Sequence, residues 1–417
     1  MPTSPTQTDV LVIGAGPSGA AASYWLARSG YSVVLVDKSA FPRDTSCGGA
    51  LTPRSVQQLI DMGLSAQLET FHTVDGVRLC SAGRTIELPW PSHDVFGNVG
   101  KVVDRGRLDS IVAQHAVAEG AVLLDRHEAL QPIVERGFVR GAVVQAGGEE
   151  PIELRATYVV VADGANSRFG RALGTFRTRE WPYATAICGL WKSSASADRW
   201  LESHLGIDDR NSNAIPGFGW VFPVGDGTIS VGLGLLSTFR EFKGINSAHL
   251  LESFIHQQAD RLDIDPQDSV DRPISGRIPM GCSVGPAAGP SYLVVGDAAG
   301  SVSPFNGDGI AAAFETGRLA ADVIARALKE GQAAILQQFP RLVDREFGQH
   351  FHVGRLFARA VGRPTVMRQL TRVGMSSPSV MSSMFRIQSN MLRANQTGPA
   401  EVAFAAAAAL SKLAPNA

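Results

Sequence analysis

Short apolar runs closed by glycine or aspartate punctuate this chain. Val10 to Ile13, Tyr31 to Val36, Tyr158 to Ala162 and Tyr292 to Val295 carry almost no polar alternation, the pattern of parallel strands buried on both faces. Between the first two, Ala20 to Arg28 is rich in small residues and predicts a helix that Gly30 closes. The result is a βαβ unit ending in Asp37. After Arg105, as far as Glu119, Leu108, Ile111, Val112, His115 and Ala116 fall on one helical face. Val122 to Leu124, Gly141 to Gln145 and Ile152 to Leu154 read as short strands of a meander.

The texture changes from about Arg177 to Pro273. Ala184 to Trp191, Gly219 to Pro223 and Thr228 to Leu235 predict strands separated by polar turns such as Gly225-Asp226-Gly227, with a helix over Ser247 to Arg261. Ile310 to Glu330 is an alanine-rich helix, and everything beyond about Gln332 reads as helical and separate. The expected fold is α/β. A Rossmann-like nucleotide domain spans 1–176 and 274–331, an inserted antiparallel β-sheet substrate domain spans 177–273, and a helical C-terminal region spans 332–417.

Three glycine–aspartate motifs stand at the strand ends. Gly14-Ala15-Gly16-Pro17-Ser18-Gly19 follows the first strand, with Asp37 18 positions after Gly19. Its glycines let the backbone approach a pyrophosphate, whose charge the helix N-terminus favours, and Asp37 is placed for ribose hydroxyls. Asp163 and Gly164 end the third run, in Ala162-Asp163-Gly164. Gly296-Asp297-Ala298-Ala299 ends the fourth and is followed by Gly307-Asp308-Gly309. Asp297 suits a ribityl hydroxyl, the part of a flavin nucleotide that a nicotinamide dinucleotide lacks. Gly307 and Gly309 precede a helix, starting at Ile310, whose positive end would face the flavin pyrimidine edge and stabilise charge gathering there on reduction. One GxGxxG is weak evidence, but three motifs in this order point to FAD.

The order of GAGPSG, ADG and GDAAGSVSPFNGDGI resembles the glutathione-reductase-type FAD oxidoreductases of the hydroxybenzoate-hydroxylase branch. Phe41-Pro42-Arg43 leading to Cys47-Gly48-Gly49, and Phe218-Gly219-Trp220-Val221-Phe222-Pro223, are similar to the geranylgeranyl reductase family, whose pattern is aromatic-x-Trp-x-Phe-Pro. Within it the chain looks most like the actinobacterial menaquinone reductases. The resemblance places Cys47, Gly48, Gly49 and the adjoining Ala50 beside the flavin. It also implies that Arg105, in an Arg-x-x-x-Asp helix start with Asp109, contacts FAD. Aromatic hydroxylases of the branch commonly carry histidine where this chain has Gly300, and no Trp-x-Trp-x-Ile-Pro motif of flavin halogenases is present.

The activity implied is reduction of an isolated C=C bond in a lipophilic polyprenyl chain, one isoprene unit of a menaquinone side chain or a geranylgeranyl group. Trp220 and Phe222 share one face of a strand and, with Phe218, suit a channel for such a ligand, while Gly232 and Gly234 leave room on theirs. The proton donor is left open between Cys47, Asp308 and a bound water. So is the reductant, NAD(P)H or ferredoxin, which brings in an electron-donor protein as a candidate partner. A flavin monooxygenase acting on a lipophilic substrate and a flavin-loaded lipid carrier are the rival readings.

Composition narrows this further. Hydrophobic content of 44% and charged content of 18% fit a globular enzyme rather than a disordered chain. Cys47, Cys80, Cys188 and Cys282 form no CxxC pair, which argues against zinc ribbons, iron–sulfur clusters and a disulfide framework, and no metal is expected. The start MPTSPTQTD has no signal-like pattern, and no apolar run approaches the roughly 20 residues of a spanning helix, so a cytoplasmic location is expected.

The net charge of −1 is unevenly spread. Between Phe347 and Ala400 lie seven arginines (355, 359, 363, 368, 372, 386, 393) and no lysine, aspartate or glutamate, which leaves the remainder at −8. Met367, Met375, Met381, Met384 and Met391 fall in the same stretch. Basic amphipathic helices with adaptable methionines suit peripheral docking on anionic lipid. Nucleic acid is not expected, since no recognised binding module accompanies the charge.

Overall fold

The structure is a computed structural model that describes residues 7–43, 45, 47–81, 83–208, 214–393 and 396–413; residues 1–6, scanned above for a targeting signal, lie outside it. The first sheet runs in the order Val122–Leu124, Val33–Val36, Gln7–Ile13, Ile152–Val161, Phe138–Ala146, His127–Glu135, with Tyr292–Val294 also pairing on Ile152–Val161. The first four strands and Tyr292–Val294 pair in parallel. Val10, Leu11 and Val12 are fully buried, as strands covered on both faces require. Helices Pro17–Arg28, Arg105–Ala118 and Ile310–Glu330 share the apolar core on one side of this sheet.

Two strand assignments change. Ile152 to Leu154 and Tyr158 to Val161 form one ten-residue strand, Ile152–Val161. Its first part alternates in exposure beside the antiparallel Phe138–Ala146, and its last four residues, Tyr158 to Val161, are buried among parallel neighbours. Val122–Leu124 lies outside the meander; it pairs in parallel with Val33–Val36.

The second sheet has seven strands: Ile274–Pro279, Tyr183–Lys192, Thr228–Leu236, Ala214–Pro223, Trp200–Asp208, Gly76–Ser81, Arg84–Pro89. It is wider than the 177–273 stretch, because the Gly76–Pro89 hairpin joins one edge in parallel to Trp200–Asp208 and Ile274–Pro279 forms the other. Alternation along Ala214–Pro223 sorts its side chains. Val221 packs with Leu250, Phe254 and the rest of helix Ser247–Leu262, while Phe218, Trp220 and Phe222 face the other way.

The C-terminal region is helical, over Gln349–Val361, Pro364–Gly374, Pro378–Gln388 and Pro399–Ser411, but it is not separate. Met375, Met381, Phe385 and Met391 share a core with Leu79, Leu88, Trp90 and Leu201 of the second-sheet edge and its flank. Three of the five clustered methionines therefore fill the interior rather than coat a surface. Among the described residues, no helix is long and apolar enough to cross a membrane.

Candidate active site

The three motifs meet in space. Gly14 has φ +99°, and a β-carbon there would overlap the Ala162 carbonyl, so the first motif leans on the second. A β-carbon at Gly296 would overlap the Ser18 hydroxyl, so the third motif leans on the first. Within the third motif, the Asp297 carboxylate lies 3.5 Å from the place of a β-carbon on Gly309, the residue that opens helix Ile310–Glu330. Asp308 and Gly307 complete that turn.

Helix Pro17–Arg28 starts at Gly16 with no side-chain cap, which leaves backbone N–H groups directed out of its first turn. A guanidinium stands over it: a β-carbon on Gly16 would lie 2.9 Å from Arg43 Nη2. Arg43 donates to Asp37 at 3.1 Å and to Asp109 at 2.8 Å. The buried Asp109 also accepts from Arg105 at 3.0 Å, so one carboxylate positions two arginines. Asp37 accepts from the Ala15 N–H at 2.8 Å and the Ser39 N–H at 2.9 Å, so it ties the glycine loop to the following strand. The sequence pattern alone assigns Arg43 no role at this loop; its signal is an arginine six positions after Asp37.

The Arg105 charge draws Asp297 towards ionisation, but burial dominates and pushes that carboxyl up to about 6. Burial also raises Asp163. One Asp163 oxygen accepts from the Phe169 N–H at 3.0 Å, and the other has no partner among the described residues. An orphaned carboxylate oxygen calls for a ligand with O–H or N–H donors, while an uncapped helix start beneath an arginine calls for an anion. Both demands fit FAD, whose pyrophosphate Gly14 to Gly19 and Arg43 would hold and whose hydroxyls the carboxylates would take.

Cys47-Gly48-Gly49 is held between two layers. A β-carbon on Gly49, at φ +73°, would overlap the Val103 carbonyl. One on Gly48 would lie 2.6 Å from the Phe222 ring and 2.8 Å from Trp220 Nε1. The Phe218, Trp220 and Phe222 rings follow one another at 5.9 and 6.0 Å. Gly232 and Gly234 do make room, but for these rings rather than for a ligand. Their β-carbons would strike Trp220 and Phe218, and neither glycine reaches the cavity.

That cavity has a volume of about 320 Å³. It is lined on one side by Cys47 to Ala50 and by Asn306 to Ile310, and on another by Phe218, Trp220 and Phe222. Sequence reasoning missed the third wall, which comes from the C-terminal helices as Phe357, Met367, Met381 and Phe385. Their signal was the methionine density, which composition alone leaves ambiguous between core and surface.

Two groups at the cavity are candidates for proton chemistry. Asp308 is half-buried at the cavity wall, loss of solvent there raises its carboxyl, and it accepts from the Thr52 hydroxyl at 3.0 Å. The Cys47 thiol lies against the Arg105 guanidinium. Cys188, on the second sheet nearby, is pushed up to about 12 by burial and stays a thiol.

The basic stretch divides into two kinds of arginine. Arg355, expected on a lipid-facing surface, is only 7% exposed. It donates to the Gly281 carbonyl at 2.9 Å and stacks 3.8 Å from the centre of the Trp181 ring. Arg359 donates to the Glu180 carbonyl at 2.9 Å. Arg363, Arg368 and Arg372 are exposed, beside exposed Leu370, Val373 and Val380.

A family model described as an FAD binding domain matches residues 7–215. The menaquinone reductase of Mycolicibacterium smegmatis is 33% identical, over 93% of this chain and 92% of that protein. The digeranylgeranylglycerophospholipid reductase of Methanosarcina mazei is 29% identical, over 79% of this chain and 78% of its own length. Among solved structures, a geranylgeranyl bacteriochlorophyll reductase-like protein from Thermoplasma acidophilum matches in fold, with a TM-score of 0.74 over 96% of both chains at 24% identity.

Proposed function

The chain belongs to the geranylgeranyl reductase family of FAD-dependent oxidoreductases, and from that premise we propose that it saturates an isolated C=C bond in a polyprenyl chain, one isoprene unit of a menaquinone side chain first among them. The observation that carries this reading is the apolar cavity running from the flavin cradle to helices Pro364–Gly374 and Pro378–Gln388. FAD, when bound and reduced, supplies the hydride for one alkene carbon. The other carbon needs a proton, and an isolated alkene has no carbonyl to share the developing charge. Asp308 is assigned as the acid because it is the carboxyl among the residues lining that cavity, and burial favours its protonated form. Cys47 and Arg105 hold the opposite edge of the cradle, and the Phe218, Trp220 and Phe222 rings exclude water and align the chain.

Docking of the enzyme on the membrane belongs to the same reading. Arg363, Arg368 and Arg372 lie among exposed apolar residues on the helices that wall the cavity, so a prenyl tail would pass from lipid to site without crossing bulk water. Electrons come from NAD(P)H or a ferredoxin, and the assay includes both.

The test is anaerobic turnover of holoenzyme with menaquinone, read by mass spectrometry. The expected product is heavier by one H2. A product that forms only with oxygen present, and gains an oxygen atom, would establish the monooxygenase reading in its place. Unchanged menaquinone under both conditions would defeat both.

A further inference from the structure

Asp308 is not alone in the interior. The hydroxyl that binds it belongs to Thr52, which caps helix Pro53–Asp61, and Arg54 stands in that helix's first turn. Arg54 is 8% exposed and uses its donors on other groups. Nε and Nη2 reach the two oxygens of Glu315 at 2.6 and 2.8 Å, Nη2 also reaches Glu346 at 2.6 Å, and Nη1 reaches the Asn390 carbonyl at 3.4 Å. The Phe96 and Phe347 rings lie 5.2 and 5.7 Å from the guanidinium and help to keep water from it. Glu315 sits on the helix that Asp308 precedes and is buried, Asp308 itself is half-buried at the cavity wall, and the Glu346 side chain is half exposed.

The charges do not balance. One guanidinium faces two carboxylates before Asp308 is counted. Burial raises the Glu315 carboxyl and Arg54 draws it towards ionisation; both of its oxygens accept from that guanidinium, which is the geometry of an ionised carboxylate. Among the described residues, His93 and His350 are the other titratable groups that feel the Arg54 charge; burial pushes both imidazoles down, His350 to about 3. Among the described residues no second cation faces Asp308, and its ionisation would add a third negative charge beside the single Arg54 guanidinium.

We infer that Arg54, Glu315 and Glu346 are positioning residues that hold Asp308 in its protonated form, so that the cavity is supplied with an acid. Glu315 and Glu346 do this by using up the Arg54 charge that would otherwise ionise Asp308. Once Asp308 has given up its proton, the same excess of negative charge draws a new one in. This rests on the assignment of Asp308 as the acid, but the charge balance is a property of the chain with or without that reaction.

Infrared pH titration of the holoenzyme tests it, with Asp308→Asn marking which protonated-carboxyl band belongs to Asp308. The band is expected to persist at neutral pH in the unsubstituted protein. In Glu315→Gln, freed Arg54 charge should move its loss to lower pH by about 1–2 units. The alkaline limb of the turnover rate should move down by the same amount, which a merely structural role would not produce. Glu346→Gln, a change at a half-exposed position, should move both the same way by less, and it stands in if Glu315→Gln fails to fold. An Asp308 band with the same midpoint in the unsubstituted protein and the variants would overturn the inference and leave the reductase reading standing. Absence of any turnover in the unsubstituted protein would defeat the reductase reading, and the infrared midpoints would still decide the charge cluster.

Discussion

Trp220 Nε1 stands 2.8 Å from the point that a β-carbon on Gly48 would occupy, so the cofactor-side loop and the substrate-side strand are fitted to one another without slack. Phe222 closes the same gap at 2.6 Å. Gly48→Ala would push both rings into the cavity at a cost of about 1–3 kcal/mol. The expected phenotype is a protein that still carries flavin but whose prenylquinone turnover falls at least roughly tenfold, since near-ångström misplacement at a site has such effects. Wild-type turnover in a folded Gly48→Ala protein would show that the rings do not define the substrate wall.

Arg43 and Arg105 depend on the buried Asp109. Arg43→Ala should weaken FAD binding by about 1.5–3 kcal/mol, the worth of a hydrogen bond to a charged group. Asp109→Asn should do the same and also lower stability by about 3 kcal/mol, because Arg105 loses its buried counter-charge and Arg43 keeps only Asp37. Flavin retention on ultrafiltration and thermal unfolding separate the two effects. Full retention of flavin by Arg43→Ala would remove that arginine from the pyrophosphate site.

The Asp297 carboxyl is raised by burial to about 6, above its value in an unfolded chain of about 3.9. A raised folded-state value means that the stabilising contribution is complete below about pH 4 and is lost as pH climbs through 6. Flavin-free protein should therefore lose stability relative to Asp297→Asn across that window, by at most about 3 kcal/mol. Parallel unfolding temperatures for the two proteins from pH 4 to 7 would contradict this. The same substitution should weaken flavin binding if the carboxylate takes a ribityl hydroxyl.

Replacing Arg363, Arg368 and Arg372 together with glutamine should cut binding to vesicles containing phosphatidylserine about a hundredfold, at about 1 kcal/mol per residue. Arg355→Gln should behave differently, with a lower unfolding temperature and unchanged vesicle binding, because that side chain is spent on Gly281 and Trp181. Equal vesicle binding by the triple variant and the unsubstituted protein in co-sedimentation would rule out this docking surface.

Much of the nucleotide domain was legible in the linear chain because its determinants are local. A buried strand must be apolar, and a turn with φ +99° must be glycine, so Val10 to Gly19 announce themselves without their surroundings. Ile310–Glu330 was readable to the residue, since an alanine-rich helix bounded by Gly309 and Gly331 needs no tertiary help to define its ends. The long strand Ile152–Val161 was not, because its two halves have different neighbours and so different burial patterns.

What the chain determined by itself was the three glycine–aspartate motifs at strand ends, which point to FAD, and the alternation that turns Phe218, Trp220 and Phe222 to one side. Tertiary structure decided which surfaces those residues meet. It set the rings against Gly48, filled the space over Gly232 and Gly234 with them, and brought C-terminal methionines in as a cavity wall. It also separated the arginines, drawing Arg355 inward and leaving Arg363, Arg368 and Arg372 in solvent. The reason is that motif spacing constrains neighbours along the chain, whereas burial and charge compensation depend on groups hundreds of residues apart, as Arg54 and Glu346 are.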